Sequence, residues 1–486
     1  MRIRQGVATA LVASLLLAGC RDPESGPVAI SAIGGAPTLA NPNRVALDPP
    51  SAMLTAATAQ GLVRFDPAGQ IEPALAQSWT VTDDGTSYIF RIGRTEWTGG
   101  GTVTAQQVAF RLRAAASRAS RNRLKPLLGA IAEIVAMTDR VIEIRLRSPR
   151  PNFLQLLAQP EMAIIRTGQG TGPFAAQPGP GGATLLRLPS QQEEDEAEAP
   201  QLPDILLRGE AAALAVARFQ SGAAALVTGG TAADLPIARA AAPAPALLRF
   251  DPVGGMFGLA IASRTGLVAD AEGRRALGMA VDREALVASL AVPGLAARTG
   301  LVPPGIEEQP VPATPGWAAD PLPVRQIVAR DTVTRLRPGA DPVKLRVAMP
   351  DGPGARLIFA HLRRDWRAIG VDAERVSAGE RADLIFLDEV APANLASWYL
   401  RHFTCDASIV CSAEADAAME AARNAPSFEQ RRDSLAAADR LLTEAVPFIP
   451  LAAPVRWSLV TPRLTGFEPN PFGIHFVGSL VSPRRR

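Results

Sequence analysis

The sequence predicts an α/β chain divided into two or three lobes, and three observations carry that expectation. Its 486 residues exceed what one ordinary hydrophobic core organises. Short runs that alternate apolar and polar residues, the pattern of half-buried strands, interleave with segments that open on helix caps. A content of 47% hydrophobic and 20% charged residues describes a globular chain and not a disordered one. The net charge of +3 is small for this length, and no long lysine or arginine block accompanies it, so nucleic acid is not an expected partner. Arg484-Arg485-Arg486 reads as a solvated tail.

The chain opens with Arg2 and Arg4, then an apolar run from Val7 to Ala18 that is too short to span a bilayer. A basic start before such a run describes a secretory signal. Leu17-Ala18-Gly19-Cys20 resembles the bacterial lipobox, in which the cysteine becomes the acylated first residue; a non-lipidated signal peptide cut nearby is the alternative. No other stretch approaches eighteen uninterrupted apolar residues. After a polar tether to Pro27, Val28 to Ile33 reads as a strand.

Residues 61–112 are the most legible part. Tyr88, Phe90 and Ile92 share one face of an alternating run, and Asp83-Asp84-Gly85 before them is a turn, so residues 77–92 read as a β-hairpin. Thr104 and Gln107 form a capping box flanked by Val103 and Val108, which starts a helix at Ala105; helix is expected onward from Val108 to Leu128. Val141 to Leu146 is another alternating strand. Gly168, Gly170 and Gly172 echo a phosphate loop weakly, but no Gly-Lys-Ser/Thr follows and Pro173 blocks an immediate helix. Gln191 to Pro200 is a low-complexity acidic segment and reads as a solvated loop.

Further on, Asp282 is a natural helix N-cap. Lys344 to Met349 reads as a strand, Ala355 to Ile369 as an amphipathic helix closed by Gly370, and Ala382 to Leu387 as a buried strand ending at Asp388. Ser427 and Gln430 form a second capping box, opening a helix to about Val446, and Pro447 to Leu451 reads as a strand.

The order of these pieces resembles the family 5 bacterial solute-binding proteins, the peptide- and nickel-binding group that serves ABC importers. The resemblance rests on Gly61-Leu62-Val63, Pro73-Ala74-Leu75-Ala76, Ser78-Trp79, Asp84-Gly85, Tyr88, Phe90, Trp97, Thr104-Ala105, Val108 and Phe110. It continues through Gly170 to Phe174, Arg275, Ala276-Leu277, Ala280, Asp282-Arg283, Leu286, and Pro447 to Leu451. An Asn-x-x-Tyr-Trp element usual in the family is absent, its place taken by Gln191 to Pro200. The resemblance implies an α/β, two-lobed, periplasmic-binding-protein-like class II (cluster C) fold with an additional inserted domain and a hinge. The implied division is a signal peptide at 1–20, tether and first part of lobe I at 21–52, inserted domain at 53–167, lobe I at 168–248, lobe II at 249–464, and a return to lobe I with the tail at 465–486.

Its functional implication is the solute receptor of an ABC importer. Such a receptor captures a peptide or peptide-like solute between the lobes and delivers it to the permease and its ATPases. It would be a periplasmic monomer held to a membrane only by its lipid, with no cofactor, metal or catalytic set. The alternatives are an extracytoplasmic enzyme on the same scaffold and a non-transporting scaffold or sensor. Leu387 to Asn394 resembles a segment whose first aspartate binds the ligand's α-ammonium in dipeptide- and oligopeptide-binding members; that position here is Asp388, supported by Pro392 and Asn394, with a helix cap or solvated acid as the competing reading. Asp383 and Glu389 fall off the motif position. Cys405 and Cys411 are the cysteines left once Cys20 is lipidated; in an oxidising compartment their closeness suggests a local disulfide, and two free thiols are the alternative. His361, His402 and His475 are scattered and complete no zinc or hydrolase motif.

Overall fold

Two mixed sheets, each with helices packed against it, are joined by a pair of short chain crossings in a computed structural model that describes residues 26–150, 152–188, 203–339 and 342–481. Cys20, the acidic segment 191–200 and the arginine tail lie outside the described residues.

The first sheet runs, in spatial order, Leu248–Asp251, Arg456–Val460, Leu226–Thr231, Val28–Ile33, Ile205–Glu210, Thr184–Arg187 and Ala175–Pro178. Its centre is parallel: Val28–Ile33 pairs in parallel with both Ile205–Glu210 and Leu226–Thr231. The second sheet runs Val371–Ser377, Val343–Met349, Leu384–Val390, Gly255–Ile261 and Phe448–Pro450. The chain passes from first to second sheet between Asp251 and Gly255, and returns between Pro450 and Arg456. Arg456–Val460, which the expected 249–464 lobe includes, therefore hydrogen-bonds within the first sheet, antiparallel to Leu226–Thr231 and Leu248–Asp251. Gly170 and Gly172 lie where the chain re-enters the first sheet, and a Cβ on either would meet the Thr58 backbone within 2.0 and 2.4 Å. That close approach explains the glycines without any phosphate.

The inserted domain is built on the hairpin read from sequence. Ala76–Val81 pairs antiparallel with Ser87–Ile92, the turn resting on Gly85 at φ +65°. Val141–Leu146 and Ile131–Thr138 complete four strands. Phe90, Ile92, Ile142 and Ile144 are fully buried, and the helix Ala105–Ala116 lays Val108, Ala109 and Leu112 into the same core. The reciprocal Thr104–Gln107 capping box is present. Each large apolar side chain buried contributes roughly 1.5–3 kcal/mol. Exposed pairs such as Arg145–Glu133 contribute about 0–1 kcal/mol, so the apolar face holds the domain.

Two expectations need correction. The helix expected over 108–128 stops at Ala116 and resumes only as Lys125–Leu128. Between them the buried Asn122 organises a loop, accepting from Leu124 N and donating to the Glu161 carbonyl. The buried strand expected from Ala382 to Leu387, ending at Asp388, instead spans Leu384–Val390, because antiparallel pairing with Gly255–Ile261 carries it past the acid, and within it only Leu384 is buried. Elsewhere Asp282 caps its helix through Ala285 N at 3.0 Å, and Ser427 makes one half of its box, accepting from Gln430 N at 3.2 Å.

Candidate functional site

Asp388 lies in register with Phe257, two residues past the first crossing, so the second sheet holds it beside the hinge. Arg456 opens the first-sheet strand directly after the return crossing. The two meet: Arg456 Nη1 lies 2.7 Å from Asp388 Oδ1, and Nη2 donates to the Asp388 carbonyl at 3.1 Å. Both side chains are largely withdrawn from water, 19% and 16% exposed. Burial pushes the Asp388 carboxyl above the usual carboxylate range, while the charge and hydrogen bond of Arg456 pull it back.

A third group comes from the first lobe. Thr231 ends the strand Leu226–Thr231, and its hydroxyl donates to Asp234 Oδ2 at 3.2 Å just before the helix Leu235–Ala240. Burial raises the Asp234 carboxyl; the Thr231 hydrogen bond opposes this, and the negative charge of Asp388 adds to the rise. Two carboxylates from opposite lobes thus lie within reach of each other's charge, and Arg456 is bonded to one of them, Asp388.

The lobes touch alongside. Gly354, in the first turn of the second-lobe helix Pro353–Arg367, donates its amide to the Ala233 carbonyl of the first lobe at 2.9 Å. A Cβ at Gly354 would stand 1.9 Å from Ala232 O, so only glycine permits this approach. On the opposite side of the Leu384–Val390 strand, Glu389 meets His402 Nε2 at 3.4 Å. The His402 hydrogen bond holds Glu389 below its ordinary range. Burial pulls His402 down, but the Glu389 hydrogen bond and charge outweigh it and leave the imidazole raised. These two residues and Trp398 face Arg123 and Leu127 of the inserted domain across a cavity of about 270 Å3.

The other residues singled out in the sequence fall apart from this cluster. Asp383 Oδ2 accepts from Arg346 N at 2.8 Å and ties adjacent strands together. Cys405 and Cys411 are joined by a disulfide, their Cα atoms 5.1 Å apart, in the loop beyond the helix Ala396–Arg401. His361 is half-buried on the helix Pro353–Arg367. Among the described residues no three His, Cys, Asp or Glu side chains are grouped to hold a metal ion. Sequence reasoning missed Asp234 and Arg456. Asp234 precedes Leu235-Pro236 and looks like an ordinary helix start, whereas Arg456 did carry a signal, being the sole charged residue between Phe448 and Val460.

The profile described as "Bacterial extracellular solute-binding proteins, family 5 Middle" matches residues 70–398. Among curated proteins, a dipeptide-binding protein of Pseudomonas aeruginosa is 25% identical over 228 residues, 41% of this chain and 40% of that one. The first relatives are matched over only 23% to 40% of their own length. Among solved structures, Haemophilus influenzae OppA in complex with the peptide RPPGFSPFR superposes with a TM-score of 0.80 at 16% identity, over 94% of this chain and 98% of that one. The Escherichia coli murein tripeptide binding protein MppA gives 0.79 at 18% identity, over 94% and 98%. An unliganded open form of MppA gives 0.66 at 18% identity, over 94% and 97%. At these identities the likeness is one of fold, a two-lobed class II arrangement of mixed α/β sheets.

Proposed function

The chain belongs to the bacterial extracellular solute-binding proteins, family 5, and from that premise we propose that it captures a peptide or peptide-like solute between its two lobes and delivers it to the permease of an ABC importer. The relatives are named for binding peptides, and this reading requires no chemistry of the chain. Closure is driven by the ligand's greater affinity for the closed arrangement. The observation that carries the reading is the cluster of Asp234, Asp388 and Arg456. It draws residues from both lobes, and its two neighbouring carboxylates suit a cationic group such as a peptide ammonium. A signal peptide ending before an acylated Cys20 would place the receptor outside the cytoplasm on a lipid anchor.

Native mass spectrometry of protein purified without denaturation identifies a carried solute. Scattering with that solute at saturation should then give a smaller radius of gyration than the solute-free protein. An unchanged profile at saturation would remove the capture reading in favour of an enzyme or scaffold.

A further inference from the structure

Where the inserted domain meets the second lobe, four guanidinium groups converge with two carboxylates. Arg150 follows the strand Val141–Leu146; Arg401, Arg423 and Arg431 come from the second-lobe helices Ala396–Arg401, Ala413–Asn424 and Phe428–Ala445. Glu308, fully buried, accepts from Arg431 Nε at 2.7 Å and from Ala396 N at 3.1 Å. Glu420 pairs with Arg423 at 2.8 Å near the surface. Each acid is therefore taken by one arginine.

Arg150 and Arg401 have no acidic partner among the described residues. Arg150, 7% exposed, donates only to carbonyls, those of Pro149 at 3.0 Å and Arg423 at 3.3 Å. Arg401 Nε is buried with no acceptor. Burial, then the charge of Arg431, holds the Arg150 guanidinium down to about 9, with Arg401 and Arg423 adding to the push and Glu308 opposing it. Burying like charges with no counter-charge is strongly disfavoured.

A cavity of about 20 Å3 lies among Arg150, Phe153, Ser397, Arg401, Arg423 and Arg431. That is room for about one water-sized particle and too little for a phosphate, a sulfate or a ligand carboxylate. A water molecule fills the space but leaves the charge. We propose that a monatomic anion, chloride in the native compartment, occupies this cavity and docks the inserted domain onto the second lobe. The site is distinct from the Asp388 cluster and stands whether or not that cluster binds a solute.

Bromide replaces chloride and scatters anomalously. A crystal of the full chain grown or soaked in bromide should show an anomalous peak between Arg150 and Arg431, and its absence overturns the proposal. In solution, melting in chloride should be about 2–4 °C above melting in gluconate at equal ionic strength, since only the small anion fits and binding favours the folded state. Arg401→Gln, which removes one charge at the cavity wall, should abolish that difference. Equal melting of the wild type in both salts, or the full difference persisting in Arg401→Gln, also overturns it; if the variant does not fold, the bromide peak decides.

Discussion

Arg456 Nη1 stands 2.7 Å from Asp388 Oδ1, although the two residues belong to different sheets and are 68 positions apart in the chain. Arg456 begins its strand at the return crossing, and Asp388 pairs with a residue just past the outward one. A hinge moves atoms near its axis least, so this pair is placed to persist as the lobes open. The Gly354–Ala233 hydrogen bond has no chain crossing beside it in sequence and must break on opening.

Gly354→Val should hold the lobes apart. Its Cβ would stand 1.9 Å from Ala232 O, a backbone atom unable to swing aside. Scattering at saturating solute should show a larger radius of gyration for the variant than for wild type, and solute affinity should fall. A wild-type profile would mean that the helix start shifts to absorb the side chain.

Asp439 should make the protein lose stability as pH rises. It is fully buried, Oδ2 accepts from Ala313 N at 2.7 Å and from Gln309 Nε2 at 3.3 Å, and Oδ1 has no partner. Burial pushes its carboxyl from 3.8 to about 6. An acid raised in the folded state binds more protons folded than unfolded between those values, so stability falls as pH climbs through that window. Denaturant melts of wild type and Asp439→Asn should diverge between pH 4 and pH 7, in favour of the variant, by on the order of 3 kcal/mol. Parallel pH profiles would mean that Asp439 is ionised at little cost.

Local patterns were legible because they are decided locally. Thr104, Asp282 and Gly85 each act within a few residues of themselves, and the structure uses all three as read. The break after Ala116 escaped notice because Asn122 is held by the Glu161 carbonyl, 39 residues away. The candidate site was half legible. Asp388 stood out through its surrounding residues, but its position inside a strand depends on pairing with Gly255–Ile261, and Asp234 and Arg456 join it only through sheet topology.

Cys405 and Cys411 should be oxidised in protein taken from the native compartment, and non-reducing peptide mapping should find the linked pair. Closing so short a loop is worth roughly 2 kcal/mol on chain entropy, so Cys405→Ser should lower stability by about that amount. Quantitative alkylation of both thiols without prior reduction would count decisively against the bond.

Cys20→Ala should leave the precursor uncleaved by the lipoprotein peptidase and without an acylated N-terminus. Multiple acyl chains anchor stably, since each buried methylene contributes about 0.8 kcal/mol. A wild-type N-terminal peptide that carries no lipid mass would remove the anchor.

Asp388→Asn tests the ammonium role most directly. The substitution keeps the side chain's shape and removes the carboxylate bonded to Arg456, leaving Asp234 in place. The guanidinium does not lose every acceptor, since Nη1 also donates to the Val455 carbonyl at 2.9 Å and Nη2 to the Asp388 carbonyl at 3.1 Å, so the local fold should survive. A cationic ligand group entering between Asp234 and Asp388 would be poorly screened, and a charge-assisted hydrogen bond there is worth about 1.5–3 kcal/mol. An amine-bearing solute should therefore bind roughly ten- to a hundredfold more weakly to Asp388→Asn. Asp383→Asn is the control: its oxygen can still accept from Arg346 N, and affinity should be nearly unchanged. Calorimetry on both variants separates the outcomes. If Asp388→Asn binds as tightly as wild type, the carboxylate serves only to hold Arg456 across the hinge, and the cation site lies elsewhere.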